Sequence, residues 1–193
     1  MARAGLDRMK IVEGAVKLVN EGGLKSLNMK DLAISLNIKS PSLYKHIEGI
    51  EKLQNDIMLY GYKALEICIT QKALGKSGDA AVRAMCEAYY EYSLSNPGVF
   101  EIMQYYNRYV SDENKEATQG IYKITSKIFE AYKLTNEQKM HLVRTFRAFL
   151  QGYMSICINN GFGSPHSIKE SFDLSVDILI NGIKEMEEWL WRE

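Results

Sequence analysis

Hydrophobic residues recur along this chain at the three- and four-residue spacing that is typical of amphipathic helices. The segment 7–20 is the first example, because it presents Ile11, Ala15 and Val19 on one helix face. Gly22 and Gly23 then provide a helix stop. No segment shows the alternation of a β-strand, and no internal repeat is visible. The pattern predicts an all-α protein of about nine helices.

Two short helices are predicted after this first one. Asn28 is a good N-cap for the second helix, and Asn37 is a natural terminator. Ser40 is expected to cap the third helix, with Pro41 at its first helical position and an end near Ile47. Two short helices joined by a tight turn and braced by a third form a helix-turn-helix, whose second helix enters the major groove of DNA.

The rest of the chain predicts longer helices. A helix over residues 50–74 leads into a second group of helices, at about residues 79–94, 97–106, 112–132, 135–159 and 167–190. Asp79 is expected to cap the helix at 79–94. The last two helices are expected to begin with capping boxes at 135–138 and 167–170. We therefore predict a helix-turn-helix domain over residues 1–52, joined by the long helix to a helical ligand-sensing and dimerisation domain over residues 53–193.

Charge changes the picture slightly. The whole chain has no formal net charge, yet residues 1–52 contain nine Lys/Arg and six Asp/Glu. A modestly basic N-terminal unit on an acidic body fits a DNA-binding head. Ser42, Tyr44, Lys45 and His46 fall on the outer side of the third helix, where such side chains can donate to phosphates and base edges.

Other classes of protein find little support. The chain has no phosphate-binding glycine motif, no His-Glu-x-x-His and no Cys-x-x-Cys, so we expect no enzyme activity, no cofactor and no metal. Its three cysteines are widely spaced, which indicates a reducing compartment. No signal peptide and no membrane-spanning run are present, and we expect a cytoplasmic protein that does not contact membranes. A helical dimeric adaptor or ligand-binding protein without DNA binding is the alternative.

The N-terminal segment resembles a known family. NMKDLAISLNIKSPSLYKHI over residues 28–47, preceded by IVEGAVKLVNEGG over residues 11–23, is similar to the helix-turn-helix signature of the tetracycline-repressor (TetR) family. The resemblance implies that Asn28 caps helix 2 near the DNA backbone, that Lys30 approaches a phosphate or a base, and that Tyr44 and His46 contact phosphates. It assigns these positions to DNA reading: Lys39, Ser40, Pro41, Ser42 and Lys45.

The chain departs from that signature at two positions. Ile47 replaces the usual Phe, and Ile50 stands where the family often has a phosphate-contacting Lys. Lys52 is the candidate to compensate. The resemblance further implies an operator of double-stranded DNA, a homodimer and a small-molecule effector. The stretch 89–105 resembles the C-terminal domain of a TetR subgroup named for a Trp-His-Gly motif, although only Gln151-Gly152 stands at that motif.

The last two helices are apolar over a broad arc, and such helices need two neighbours. We predict that the second neighbour is the same helix pair of another subunit, with these residues at the interface: Phe149, Tyr153, Val176, Leu179, Ile180 and Ile183. The alternative is a larger monomeric core.

A run of aromatic residues and methionines in the C-terminal domain can line a pocket for an apolar or aromatic effector. The candidate residues are Tyr89, Tyr92, Phe100, Met103, Tyr106, Tyr122, Phe129 and Phe146. An ordinary aromatic core is the alternative for each of them.

Overall fold

The computed structural model describes residues 6–105 and 111–189. Within those ranges it contains α-helices and one short 3-10 turn at Leu24–Ser26, and no strand. The helices are α1 (Arg8–Gly22), α2 (Met29–Ser35), α3 (Ser40–Leu43), α4 (Ile50–Ala73), α5 (Gly78–Ser95), α6 (Pro97–Met103), α7 (Asp112–Phe129), α8 (Asn136–Ile158) and α9 (Ile168–Trp189). The all-α prediction is confirmed. None of the helices described is long and apolar enough to cross a bilayer.

The chain packs as two compact units. The first unit comprises Met1–Ala64 and Ser95–Ala117, and the second comprises Leu65–Leu94 and Thr118–Glu193. Packing therefore groups α6 and the first turns of α7 with the helix-turn-helix, although α5 separates them in sequence. The functional division after residue 52 stays a prediction, since compactness alone does not assign function.

In the first unit, α1 has the local chemistry that its sequence predicts. The Asp7 carboxylate caps it by accepting from the backbone N–H of Lys10 at 2.9 Å, and Gly23 ends it in the left-handed region at φ 72°. Gly14 leaves room for α2, because a Cβ at this position would lie 2.7 Å from the Leu36 side chain. The absence of a side chain there brings α1 and α2 together.

The core of the second unit contains buried aromatic side chains. Phe129 and Phe146 are buried with their ring centroids 5.3 Å apart, and Phe172 is buried on α9. The Thr135 capping box is confirmed, with both reciprocal hydrogen bonds to Gln138 present. At the start of α9 the backbone N–H of Glu170 donates to the Ser167 hydroxyl at 3.2 Å. These caps fix where the last two long helices begin.

Asp79 does not have the predicted role of an N-cap, because α5 begins one residue earlier, at Gly78. Its carboxylate instead pairs with the Lys184 ammonium at 2.6 Å and accepts from the Tyr132 hydroxyl at 2.9 Å. The Lys184 and Tyr132 contacts lower the pKa of Asp79. The Asp79 carboxylate therefore binds Lys184 on α9 and Tyr132 after α7 instead of capping α5.

Candidate nucleic-acid interface

The first predicted element of the interface is the start of α2. The Asn28 side-chain oxygen accepts from the backbone N–H of Asp31 at 2.9 Å, and its amide donates to the Asp31 carboxylate at 2.6 Å. The N-cap prediction for Asn28 is confirmed. Lys30 follows in the first turn with an exposed side chain, so both predicted residues lie at the solvent-facing start of α2.

The turn between α2 and α3 depends on Asn37. This residue has a φ of 53°, a left-handed conformation that asparagine tolerates better than most residues. The backbone N–H of Ile38 then donates to the Ala33 carbonyl at 3.0 Å, which closes the end of α2. The predicted terminator is confirmed, and it sets the direction in which the chain enters α3.

The cap of α3 was predicted one residue too late. The N-cap is Lys39, because its carbonyl accepts from the backbone N–H of Ser42 at 2.8 Å, and Ser40 is the first helical residue. The helix ends at Leu43 rather than near Ile47. One further helical bond, from the N–H of Ile47 to the Leu43 carbonyl at 2.9 Å, continues the helical course of the backbone.

Two buried residues anchor this segment, and polar ones surround them. Leu43 and Ile47 are buried, so the change from the usual Phe at Ile47 keeps an apolar anchor. Tyr44 keeps 58% of its surface exposed, so its ring and hydroxyl are accessible from solvent. The other exposed predicted residues are Lys39, Pro41, Lys45 and His46, with Ser40 and Ser42 partly exposed. The arrangement offers hydroxyl, ammonium and imidazole groups on one short stretch.

Lys52 differs from the other predicted contacts. Its ammonium lies 3.9 Å from the Asp56 carboxylate and 3.7 Å from that of Glu113, and its side chain is 35% exposed. Asp56 is itself buried and binds the Arg8 guanidinium through two bonds of 2.6 and 2.7 Å. Hydrogen bonding to Asp56 raises the pKa of Arg8. Lys52 thus belongs to an ion cluster of the first unit, which argues against its predicted contact with DNA.

The predicted effector residues are divided between the two units. Phe100 and Met103 are buried in the first unit, whereas Tyr89, Tyr92, Phe129 and Phe146 are buried in the second. Tyr122 is an exposed residue of α7, and Tyr106 lies outside the described residues.

An open depression of about 610 Å³ lies elsewhere in the second unit. The end of α4, the loop 75–77 and the end of α7 line it, and it contains none of the predicted effector residues.

Three of the six predicted dimer residues lie in the core of the second unit. Val176, Ile180 and Ile183 are buried inside the second unit, and Phe149, Tyr153 and Leu179 are half-buried. The physical reason is that the stripe with the most regular helical spacing is the one that the protomer's own core uses. These three buried residues are therefore corrected from interface to core.

A second apolar stripe faces outward on the same helix pair. Leu174 and Ile178 on α9 are each 62% exposed, and Ile156 on α8 is 45% exposed. Gly152 and Gly182 lie on these helices with no heavy atom within 4 Å of where a Cβ would be. Sequence reasoning missed Ile156 and both glycines, because glycine adds nothing to a hydrophobic pattern.

A model of the tetracyclin-repressor-like C-terminal domain matches residues 82–179, about half of the chain. The chain belongs to the TetR family. The Trp-His-Gly subgroup stays a prediction, because the matching model carries a different description. The TetR resemblance of the N-terminal segment and this C-terminal match cover complementary parts of one family architecture.

Relatives extend the similarity over nearly the whole chain. The "Uncharacterized HTH-type transcriptional regulator YobS" of Bacillus subtilis (strain 168) is 24% identical over 94% of each chain. The "Biofilm operon icaADBC HTH-type negative transcriptional regulator IcaR" of Staphylococcus aureus (strain Newman) is 25% identical, over 89% of this chain and 96% of its own. These relatives are transcriptional regulators rather than enzymes.

Solved structures share the fold. TetR from Acinetobacter baumannii AYE superimposes with a TM-score of 0.73 at 16% identity, over 95% of this chain and 99% of its own. A variant of that TetR in complex with minocycline gives a TM-score of 0.70, with the same identity and coverage. The chain is thus a TetR-family, DNA-binding transcriptional regulator, and the polar surface around α3 is its candidate nucleic-acid interface.

Proposed function

We propose that this TetR-family regulator is a repressor that binds a palindromic operator as a homodimer and leaves it when a small-molecule effector binds. The observation that carries the proposal is the stretch after Leu43, where a buried anchor is followed by three exposed donors, Tyr44, Lys45 and His46. The relative IcaR is named a negative regulator, which supports repression over activation. Such a repressor acts in the cytoplasm.

Phosphate contacts position the head on DNA. Tyr44 and His46 supply a hydroxyl and an imidazole from the exposed side of the turn, and Asn28 and Lys30 supply polar groups from the start of α2. Contacts of this kind carry no sequence information, because every nucleotide presents the same phosphate.

Base contacts specify the operator, and we assign them to residues of α3, of its cap and of the turn that follows it. They are Lys39, Ser40, Pro41, Ser42 and Lys45. Lys52 is not included, because Asp56 and Glu113 hold its ammonium.

The test compares two pairs of substitutions on DNA selected from a random pool. Tyr44→Ala and His46→Ala should weaken binding to selected and unrelated sequences by the same factor, about tenfold for a lost bond to a charged group. Ser42→Ala and Lys45→Ala should change which sequences the pool yields. Lys17→Ala, which removes an exposed charge from α1, is the matched control. Gel-shift titrations in which both pairs behave like the control would contradict the site.

The outward stripe of α8 and α9 supports the homodimer. Leu174, Ile178 and Ile156 expose apolar surface, and Gly152 and Gly182 allow a second helix to approach closely. A second copy fits this surface, because an isologous interface places two heads in the two-fold arrangement that a palindrome requires. Light scattering should give about 44 kDa, twice the 22.0 kDa of the chain. A mass of 22 kDa at micromolar concentration would contradict the dimer.

Release by an effector is supported by the minocycline complex of a structural neighbour. An effector releases the operator only if it binds the DNA-free state more tightly than the DNA-bound state. A thermal-shift screen of small apolar and aromatic compounds should therefore find a ligand that raises the melting temperature and lowers operator affinity. A ligand that stabilises the protein without changing operator affinity would argue against a sensor role.

A further inference from the structure

Helix α6 receives its N-terminal cap from another helix. Its own N-cap residue, Asn96, makes no side-chain cap. The side-chain oxygen of Asn20, near the end of α1, instead accepts from the backbone N–H groups of Gly98 and Val99, each at 3.1 Å. The Asn20 amide in turn donates to the Asn96 side-chain oxygen at 3.1 Å. Two of the N–H groups that any helix start leaves unsatisfied are thus satisfied across 78 and 79 residues of sequence.

The backbones of the two helices approach closely at the same point. A Cβ on Gly98 would lie 2.1 Å from the Val19 carbonyl oxygen, so only glycine fits there. The other end of α6 is held by α4, where the buried Tyr62 hydroxyl donates to the Met103 carbonyl at 3.0 Å. Both ends of this seven-residue helix are therefore fixed by helices of the first unit.

We propose that Asn20 is a positioning residue for DNA binding, which caps α6 from α1 and so makes α6 part of the DNA-reading head. Its side chain is partly buried and makes three hydrogen bonds to the 96–99 segment, one donated by the amide nitrogen and two accepted by the amide oxygen. A helix this short has little stability of its own, and its first turn depends on the cap. Undocking from α1 then removes the cap, and fraying of the first turn removes the docking surface.

This coupling has a consequence for operator affinity. If the head binds DNA only when α6 is docked, any increase in the undocked population lowers the apparent affinity by the docked fraction. In this role Asn20 itself does not contact a phosphate. Its loss should therefore weaken binding without changing the dependence of affinity on salt, which counts the phosphates neutralised.

The test uses the full-length protein with Asn20→Ala and Asn20→Asp. The Ala variant removes the cap, whereas the Asp variant keeps an acceptor for Gly98 and Val99, and the Asn96 amide can rotate to donate to it. Hydrogen exchange of the Gly98 and Val99 amides should be roughly fivefold faster in Asn20→Ala, the ratio expected for a typical lost cap. Exchange within α2 should be unchanged. Operator affinity should fall measurably, by at most about fivefold, with an unchanged salt slope, and Asn20→Asp should restore both values.

Several results would overturn the proposal. They are unchanged exchange at Gly98 and Val99 in Asn20→Ala, faster exchange with unaltered operator affinity, an altered salt slope, or no recovery in Asn20→Asp. Gly98→Ala provides a second route, because its Cβ forces α6 away from Val19 and should reproduce the Asn20→Ala pattern. If that variant does not fold, the two Asn20 variants still decide.

Discussion

Helices α3 and α9 differ in length and in how many apolar residues hold each of them in place. Helix α3 has four residues, and one of them, Leu43, is buried. Its placement depends on neighbours that hold Leu43 and Ile47, so its exposed side chains are free to serve recognition. Helix α9 has 22 residues and two apolar stripes. One stripe, which includes Ile180, packs inside the protomer, and the other, which includes Ile178, faces solvent.

The difference shows what burial says about function. Directly after α3 the exposed residues Tyr44, Lys45 and His46 are aromatic or polar, and exposure leaves them available to DNA. In α9 the exposed residues of the second stripe are apolar, and their exposure indicates a missing protein neighbour. The same measurement thus points to different partners, because the chemistry of the exposed groups differs.

The largest expected effect is at the anchor of α3. Leu43→Ala should destabilise the protein by roughly 3–5 kcal/mol, because the side chain is fully buried and leaves a cavity, and should abolish operator binding. Tyr44→Ala, one residue later, should leave the free energy of unfolding within about 0.5 kcal/mol of wild type. Chemical denaturation and gel shifts measure both. Equal destabilisation by the two substitutions would break the distinction between anchor and contact.

The two stripes of α9 provide the next test. Ile180→Ala should cost roughly 2–4 kcal/mol of folding stability, because Ile180 is buried in the protomer. Ile178→Ala should change protomer stability by less than about 0.5 kcal/mol but should shift the dimer towards monomer on dilution. Denaturation and sedimentation separate the two effects. An unchanged dimer in Ile178→Ala and in Leu174→Ala would place the interface elsewhere.

The smallest effect concerns pH. Lys184 and Tyr132 lower the pKa of Asp79 from its ordinary 3.8, so the stabilisation is present above pH 3.8 and is lost as pH falls through the lowered value. The contribution should be below about 1 kcal/mol, because Asp79 is 37% exposed and solvent screens the pair. Asp79→Asn should unfold more easily than wild type at pH 6, and the difference should narrow as pH falls below 3.8. A difference that does not narrow on acidification would mean that the charge is not its source.

The correct predictions all concern interactions between residues that are close in the sequence. Asn28, Asn37 and Thr135 act on backbone groups within a few residues, so the residue type and its neighbours were enough to identify the caps and the turn. The exposed residues around Leu43 followed from helical spacing alone. The predictions for Ser40 and Asp79 were wrong, because the same side chains had competing options that the local sequence could not rank.

The amino-acid sequence by itself determined the helical architecture, the helix-turn-helix and the polar residues offered to DNA, because spacing and caps act over a few residues. Only the tertiary structure decided which stripe of α9 is core, that Lys52 is held by Asp56 and Glu113, and that Asn20 caps α6. The first depends on the choice between two similar faces. The other two depend on partners 61 or more residues away, Glu113 for Lys52 and Gly98 for Asn20, although Asp56 is a local i,i+4 partner of Lys52. Contacts between residues distant in sequence produce no periodic pattern in a single sequence, so only the tertiary structure shows them.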